Sequence, residues 1–153
     1  MTAEQEKQFR ESGCVSRSLI ILAAIKNKPF ASWDEYCQKF GHLFPYPTTQ
    51  YGALFPSQIV DVTRAVGIGS HFESYRRYQE ILGWHRKGCS VLIIFEIDFN
   101  LGATGVNRHC SVLEKIDDAG FSLITPSQDG KDYIGKFVAA DWDIKLCHGY
   151  VLR

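Results

Sequence analysis

Gly13-Cys14-Val15-Ser16-Arg17-Ser18-Leu19-Ile20-Ile21-Leu22-Ala23-Ala24-Ile25 is the stretch on which the fold turns. From Leu19 to Ile25 every side chain is apolar, so no side of the segment suits water. Its Ala and Leu content predicts a helix buried on all sides rather than an amphipathic surface helix. Ser12-Gly13 supplies a polar, flexible lead-in, which puts Cys14 at the start of that helix. Unpaired N–H groups and the positive end of the helix dipole are expected to lower a thiol's pKa there, and the thiolate is the nucleophile. A nucleophile needs a base. Of the five histidines, His109 stands where a glycine-bearing loop gives way to a strand-like run, Asn107-Arg108-His109-Cys110-Ser111-Val112-Leu113. His42, His71, His85 and His148 have no partner pattern.

Composition bounds what surrounds this pair. The 153 residues suit one domain with one core, and 45% hydrophobic with 22% charged residues is an ordinary globular balance. Seventeen basic and seventeen acidic side chains cancel, so no global field draws the chain to nucleic acid or an anionic membrane. A nucleic-acid reading would have to rest on Arg64, Arg76, Arg77, Arg86 and Lys87 without a recognition-helix motif. The first twelve residues lack the apolar core of a signal peptide, and no apolar run is long enough to span a bilayer. The expected location is cytoplasmic, or outside the cell by a route without a cleaved signal peptide. The five cysteines (Cys14, Cys37, Cys89, Cys110 and Cys147) form no Cys-x-x-Cys pair, so no metal knuckle and no cofactor are implied. All but Cys14 read as buried hydrophobes.

Further along, Asn27-Lys28-Pro29 stops the first helix. Ser32-Trp33-Asp34-Glu35 is a capping-box pattern opening a second helix to about Phe40, with Trp33, Tyr36, Cys37 and Phe40 on one face. The aromatic, proline-bearing segment Phe44 to Phe55 is a candidate groove wall. Pro56 to Val66 predicts a third helix closed by Gly67, and Ser70 to about Trp84 a fourth with Arg and Tyr facing solvent. The pattern then changes to β-branched runs. Strands are expected over Ser90–Phe99, Arg108–Ile116 and Phe121–Thr125, the last two joined by a turn at Asp117-Asp118-Ala119-Gly120. Shorter strands follow around Tyr133–Val138 and Gly149–Leu152. Helices first and antiparallel strands second give an α+β fold.

A buried helix led by Cys, followed by a β-half whose early strand begins with His, resembles the papain-fold cysteine peptidases. Within them the chain looks most like the compact C39-like branch, the double-glycine leader peptidase type. Gln8-Phe9-Arg10-Glu11-Ser12-Gly13-Cys14 carries Gln8 at the offset where that fold places its oxyanion-hole amide. Pro56-Ser57-Gln58-Ile59 through Ala65-Val66-Gly67-Ile68 is similar to the family's substrate-side helix. His109-Cys110-Ser111-Val112-Leu113, the acidic turn, the next strand, Thr125-Pro126 and Gly130 follow the family's layout. The order covers nearly the whole chain. One position departs: the Asp that orients the His in the family is here Thr125, whose hydroxyl could accept the His109 Nδ1–H bond without supplying a charge. Gln128 and Asp129 stand nearby. Trp142 resembles the family's late aromatic near the site, although such a residue also serves as ordinary core.

The resemblance implies acyl transfer on a peptide or protein substrate. Cys14 would attack the carbonyl, paired with His109 as imidazolium. The N–H of Cys14 and the Gln8 amide would stabilise the oxyanion, each contributing on the order of 3 kcal/mol. A chain of this type without a leader peptide suits a bacterial toxin or effector. A cell-wall amidase also starts a helix with Cys, though typically in Asp-Cys-Ser, where this chain has Gly-Cys-Val. The other class of function is a peptide-binding module that has lost full catalysis, motivated by Thr125. Structural alternatives stand for each residue: a buried thiol for Cys14, a strand-edge imidazole for His109, a solvent-facing amide for Gln8.

Overall fold

The computed structural model describes residues 14–43, 56–96, 108–126 and 132–153. Helix α1 runs Cys14–Ile25, α2 Trp33–Phe40 and α3 Pro56–Val66. Strand β1 (Phe72–Tyr75) precedes α4 (Tyr78–Arg86). Strands β2 (Ser90–Glu96), β3 (Arg108–Ile116), β4 (Gly120–Pro126) and β5 (Asp132–Val138) follow. A short α5 (Asp141–Ile144) leads into β6 (His148–Leu152). All six strands form one antiparallel sheet in the order β1-β6-β2-β3-β4-β5. The fold is α+β, as the sequence implies.

Strand alternation divides the side chains between two faces. Leu92, Cys110, Val112 and Leu152 point to the first face. There they pack with Leu19 and Leu22 of α1, Tyr36 and Phe40 of α2, and Ile59 and Val62 of α3. Val91, Ile93, Phe95, Leu113, Leu123 and Val151 point to the second, against Ile81 of α4 and Trp142 of α5. Burial on both faces explains why Val91–Phe95 reads as an unbroken apolar run instead of an alternation.

Local signals set most boundaries. Ser32 is the N-cap of α2, its hydroxyl accepting from the Glu35 N–H at 3.1 Å. The Glu35 carboxylate reaches back to the Ala31 N–H at 2.5 Å, one residue earlier than a capping box requires. Gly67 follows α3 at φ 76°, the left-handed conformation that closes a helix at least cost to glycine.

Two expectations are corrected. The segment from Ser70 to Trp84 is not one helix: Phe72–Tyr75 is an edge strand, and the helix begins only at Tyr78. The strand exists because it pairs with the far end of the chain, Phe72 opposite Leu152 and Tyr75 opposite Gly149. Helix α1 is also not buried on all sides. Ser16, Ser18, Leu19, Leu22 and Ala23 form its buried stripe, whereas Ala24 is exposed and Ile25 is 50% exposed at the helix end. Uniform apolarity thus overstated the enclosure.

Candidate active site

Three consecutive side chains fix the first turns of α1. Ser16 accepts from the Tyr36 hydroxyl at 2.8 Å in the core, anchoring α1 to α2. Arg17 pairs with Asp132 of β5 at 3.3 Å on the surface. Ser18 donates to the Cys110 carbonyl at 3.0 Å, a buried bond that ties the helix to β3. Cys14 lies four positions before Ser18 and so shares its face of the helix. That places the two side chains on the same strand residue. The Ser18 hydroxyl takes the Cys110 carbonyl, and the Cys14 thiol lies at the Cys110 N–H.

The Cys14 thiol turns inward against the first-face core, beside the side chain of Cys110. Burial raises its pKa above the usual 9.0, and this outweighs the opposing backbone N–H groups of Cys110, Val15 and Cys14 itself. The helix start does supply N–H groups to the sulfur, as expected. The expected net depression is nevertheless corrected, because desolvation of a buried thiolate is the larger effect. Cys14 rests as a thiol.

His109 is the second residue of β3 and stands opposite Phe95 of β2. The two rings meet edge to face, 5.7 Å between centroids, which puts His109 on the second face of the sheet. Its Nε2 lies 3.1 Å from the Pro126 carbonyl. A carbonyl only accepts, so Nε2 carries the proton, and the neutral ring keeps its lone pair on Nδ1. Burial lowers the His109 pKa below 6.5, against the smaller upward pull of the Pro126 carbonyl. The imidazole therefore rests neutral.

Thr125 does not orient this ring. Its hydroxyl is 2.9 Å from Ser111 Oγ, both residues being buried on the second face as directly facing neighbours of β3 and β4. The orienting contact falls one residue later, on the backbone of Pro126, and through Nε2 instead of Nδ1. Sequence reasoning could not have found it, since a main-chain carbonyl carries no residue-type signal. Ser16 and Ser18 carry no signal for a different reason: serines inside an apolar helix look like interruptions until their buried partners are known.

The structure brings Cys14 to the residue next to His109 in β3. Among the described residues no hydrogen bond joins the thiol to the imidazole. Gln8, the aromatic segment 44–55, the loop 97–107 and Gln128-Asp129 lie outside the described residues. Among the described residues there is no group of three or more His, Cys, Asp or Glu able to hold a metal, and no helix long and apolar enough to cross a membrane. Trp142 is core, 1% exposed, with its indole N–H donated to the Arg76 carbonyl at 2.9 Å. No family model matches the chain, and no curated protein matches it.

Proposed function

We propose that the chain is a papain-fold cysteine peptidase or amidase of the C39-like kind, acting on a peptide or protein substrate. The observation that carries this reading is the convergence at the start of β3. A thiol on the first turn of a core-anchored helix lies at the Cys110 N–H, and the adjacent residue of the strand is a histidine, turned to the other face, whose Nε2 is held by a carbonyl. That bond leaves Nδ1 as the basic atom.

Both groups start neutral, so the chemistry begins with general-base catalysis and not with a preformed ion pair. The step requires the His109 ring to leave Phe95 and turn from the second face of the sheet to the first; its Nδ1 then takes the Cys14 proton as the sulfur attacks the substrate carbonyl. The N–H groups of the first helical turn lack intrahelical partners and face the developing oxyanion. Collapse of the tetrahedral adduct sends the proton from His109 to the leaving amine and leaves a thioester on Cys14. Water, deprotonated by His109, then releases the acid. Catalytic contacts often tighten on substrate binding, but here the two side chains start on opposite faces of the sheet, so the reading requires a reorientation of His109 and not a tightening alone.

The test is labelling by a peptidyl vinyl sulfone at neutral pH, with site mapping by mass spectrometry. Cys14 is expected to label ahead of the other four cysteines, and His109→Ala to slow that labelling by about a hundredfold or more. Labelling indifferent to His109 would overturn the peptidase reading. The second reading, a peptide-binding module with weakened catalysis, would then take over; the resting neutrality of both groups already favours it.

A further inference from the structure

The two edges of the sheet are finished differently. Strand β1 is four residues long, and its Glu73 is bonded to His71, Tyr75 and Arg153. Shortness and committed charge keep such an edge from recruiting a further strand. Strand β5 is seven residues long and, among the described residues, pairs on one side only, with β4. Its Tyr133 is 54% exposed and its Ile134 55%.

The side chains of β5 follow those of their β4 partners. Phe121 lies opposite Phe137 and Ile124 opposite Ile134, so Tyr133, Gly135 and Phe137 belong to the second face. Asp132, Ile134 and Lys136 belong to the first. A lysine in the middle of an edge strand is ordinarily a guard against pairing. Here Lys136 is exposed and makes no salt bridge with any described residue. Asp132 stands as far before Ile134 as Lys136 stands after it. Arg17 of α1 holds that carboxylate at the edge, Nε to Oδ1 3.3 Å.

The strand is therefore of opposite charge on the two sides of Ile134, and an antiparallel copy of itself centred there is complementary. Each Asp132 falls opposite the other copy's Lys136, Ile134 opposite Ile134, and Tyr133 opposite Gly135. A two-fold axis perpendicular to the sheet keeps each face on its own side, so it must pass beside one residue. Centred on Gly135, it would set Asp132 against Val138 and Lys136 against Ile134. Centred on Lys136, it would set two ammonium groups together. Within β5 the Ile134 register alone pairs both charges, and cross-strand pairs of this kind fix register.

We propose that β5 binds a second copy of this chain, antiparallel and centred on Ile134, so that one sheet runs through both copies. The contact is independent of the chemistry at Cys14.

Sedimentation velocity on the full chain over about 1–200 µM should show a reversible monomer–dimer equilibrium. Lys136→Glu sets carboxylates opposite each other at both ends of the paired stretch, and Asp132→Lys does the same with ammonium groups. Both positions are exposed, and each variant should weaken the dimer about tenfold or more. Mixing the two variants places opposite charges at both ends again, so the mixture should form a heterodimer comparable to the parent dimer. A parent chain that stays monomeric at the highest concentration overturns the proposal. So does a dimer indifferent to Lys136→Glu, since another surface would then hold it, and so does a mixture that associates no better than its components.

Discussion

The two faces of the sheet bury comparable sets of apolar strand residues but are covered in different ways. The first face lies under three helices, α1, α2 and α3. Its cover is stitched internally by Tyr36 to Ser16 and by Ser18 to the Cys110 carbonyl. The second face has α4 and a four-residue α5, and its cover converges on one large side chain. Trp142 meets Tyr78 at 5.5 Å and Phe121 at 5.5 Å, and donates to Arg76. Cover on the first face is therefore distributed, and on the second it is concentrated. The candidate site straddles this difference, with its thiol on the distributed side and its imidazole on the concentrated one.

Concentration should be visible as a larger response to a single truncation. Trp142→Ala removes the residue around which the second-face rings pack and orphans the Arg76 carbonyl, so a loss of about 3–5 kcal/mol is expected. Leu22→Ala on the first face should fall nearer the low end of the 2–5 kcal/mol typical of such changes, roughly 2–3, because α2 and α3 share the cover. Urea unfolding of both variants decides the matter. A larger loss for Leu22→Ala would show that the first face is the one with a keystone.

Tightness on the second face can be probed from the opposite direction. A Cβ on Gly149 would stand 2.3 Å from Ile81 Cδ1 and 3.2 Å from Val91 Cγ1, both in the fully buried core. Gly149→Ala should cost about 1–3 kcal/mol through overpacking. Pairing the change with Ile81→Val trims the clashing atom and should recover part of the loss. No recovery would place the strain in the backbone of β6 instead.

How much of this was legible beforehand follows the same division. Helix α1, the capping serine Ser32 and the β3–β4 hairpin announce themselves through local residue types, and the structure places them within a residue or two of expectation. The segment of edge strand β1 reads as helix in isolation because its reason for being a strand is Leu152, eighty residues away. At the site, Cys14 and His109 stand out as chemical types; the structure sets Cys14 against Cys110 of β3 and turns the neighbouring His109 to the other face. The contact that positions His109 was illegible because it belongs to the Pro126 main chain. Thr125 stands where the resemblance would put an orienting residue, whereas its hydroxyl closes a bond with Ser111 inside the second face.

Thr125→Val sharpens that correction. The variant keeps the shape and removes one hydroxyl, leaving buried Ser111 without its partner, so about 1–2 kcal/mol of stability should be lost. The His109 tautomer and pKa, read by NMR from its ring resonances, should not move, because the Pro126 carbonyl is untouched. A shifted tautomer would restore Thr125 to the role of orienting residue.

The smallest expected effects are those of pH, and they run in opposite directions on the two faces. Burial holds the His109 pKa below its unfolded value of about 6.5. Its contribution to stability is then complete above about pH 6.5 and is lost as pH falls through the lowered folded value, where the unfolded state binds the proton more readily. Cys14 is shifted the other way. Its pKa is raised above 9.0, so its contribution is complete below about pH 9 and is lost as pH rises through the raised folded value. Between these limits both groups are neutral, and iodoacetamide should find Cys14 slow at pH 6 to 8, with its rate climbing only above pH 9. His109→Gln should flatten the acid side of the stability profile and leave the alkaline side unchanged. Cys14→Ser should do the converse. Fast alkylation of Cys14 well below pH 7, abolished by His109→Gln, would instead mean that thiolate and imidazolium coexist as an ion pair, and that the separation of the two groups between the faces is bridged in solution.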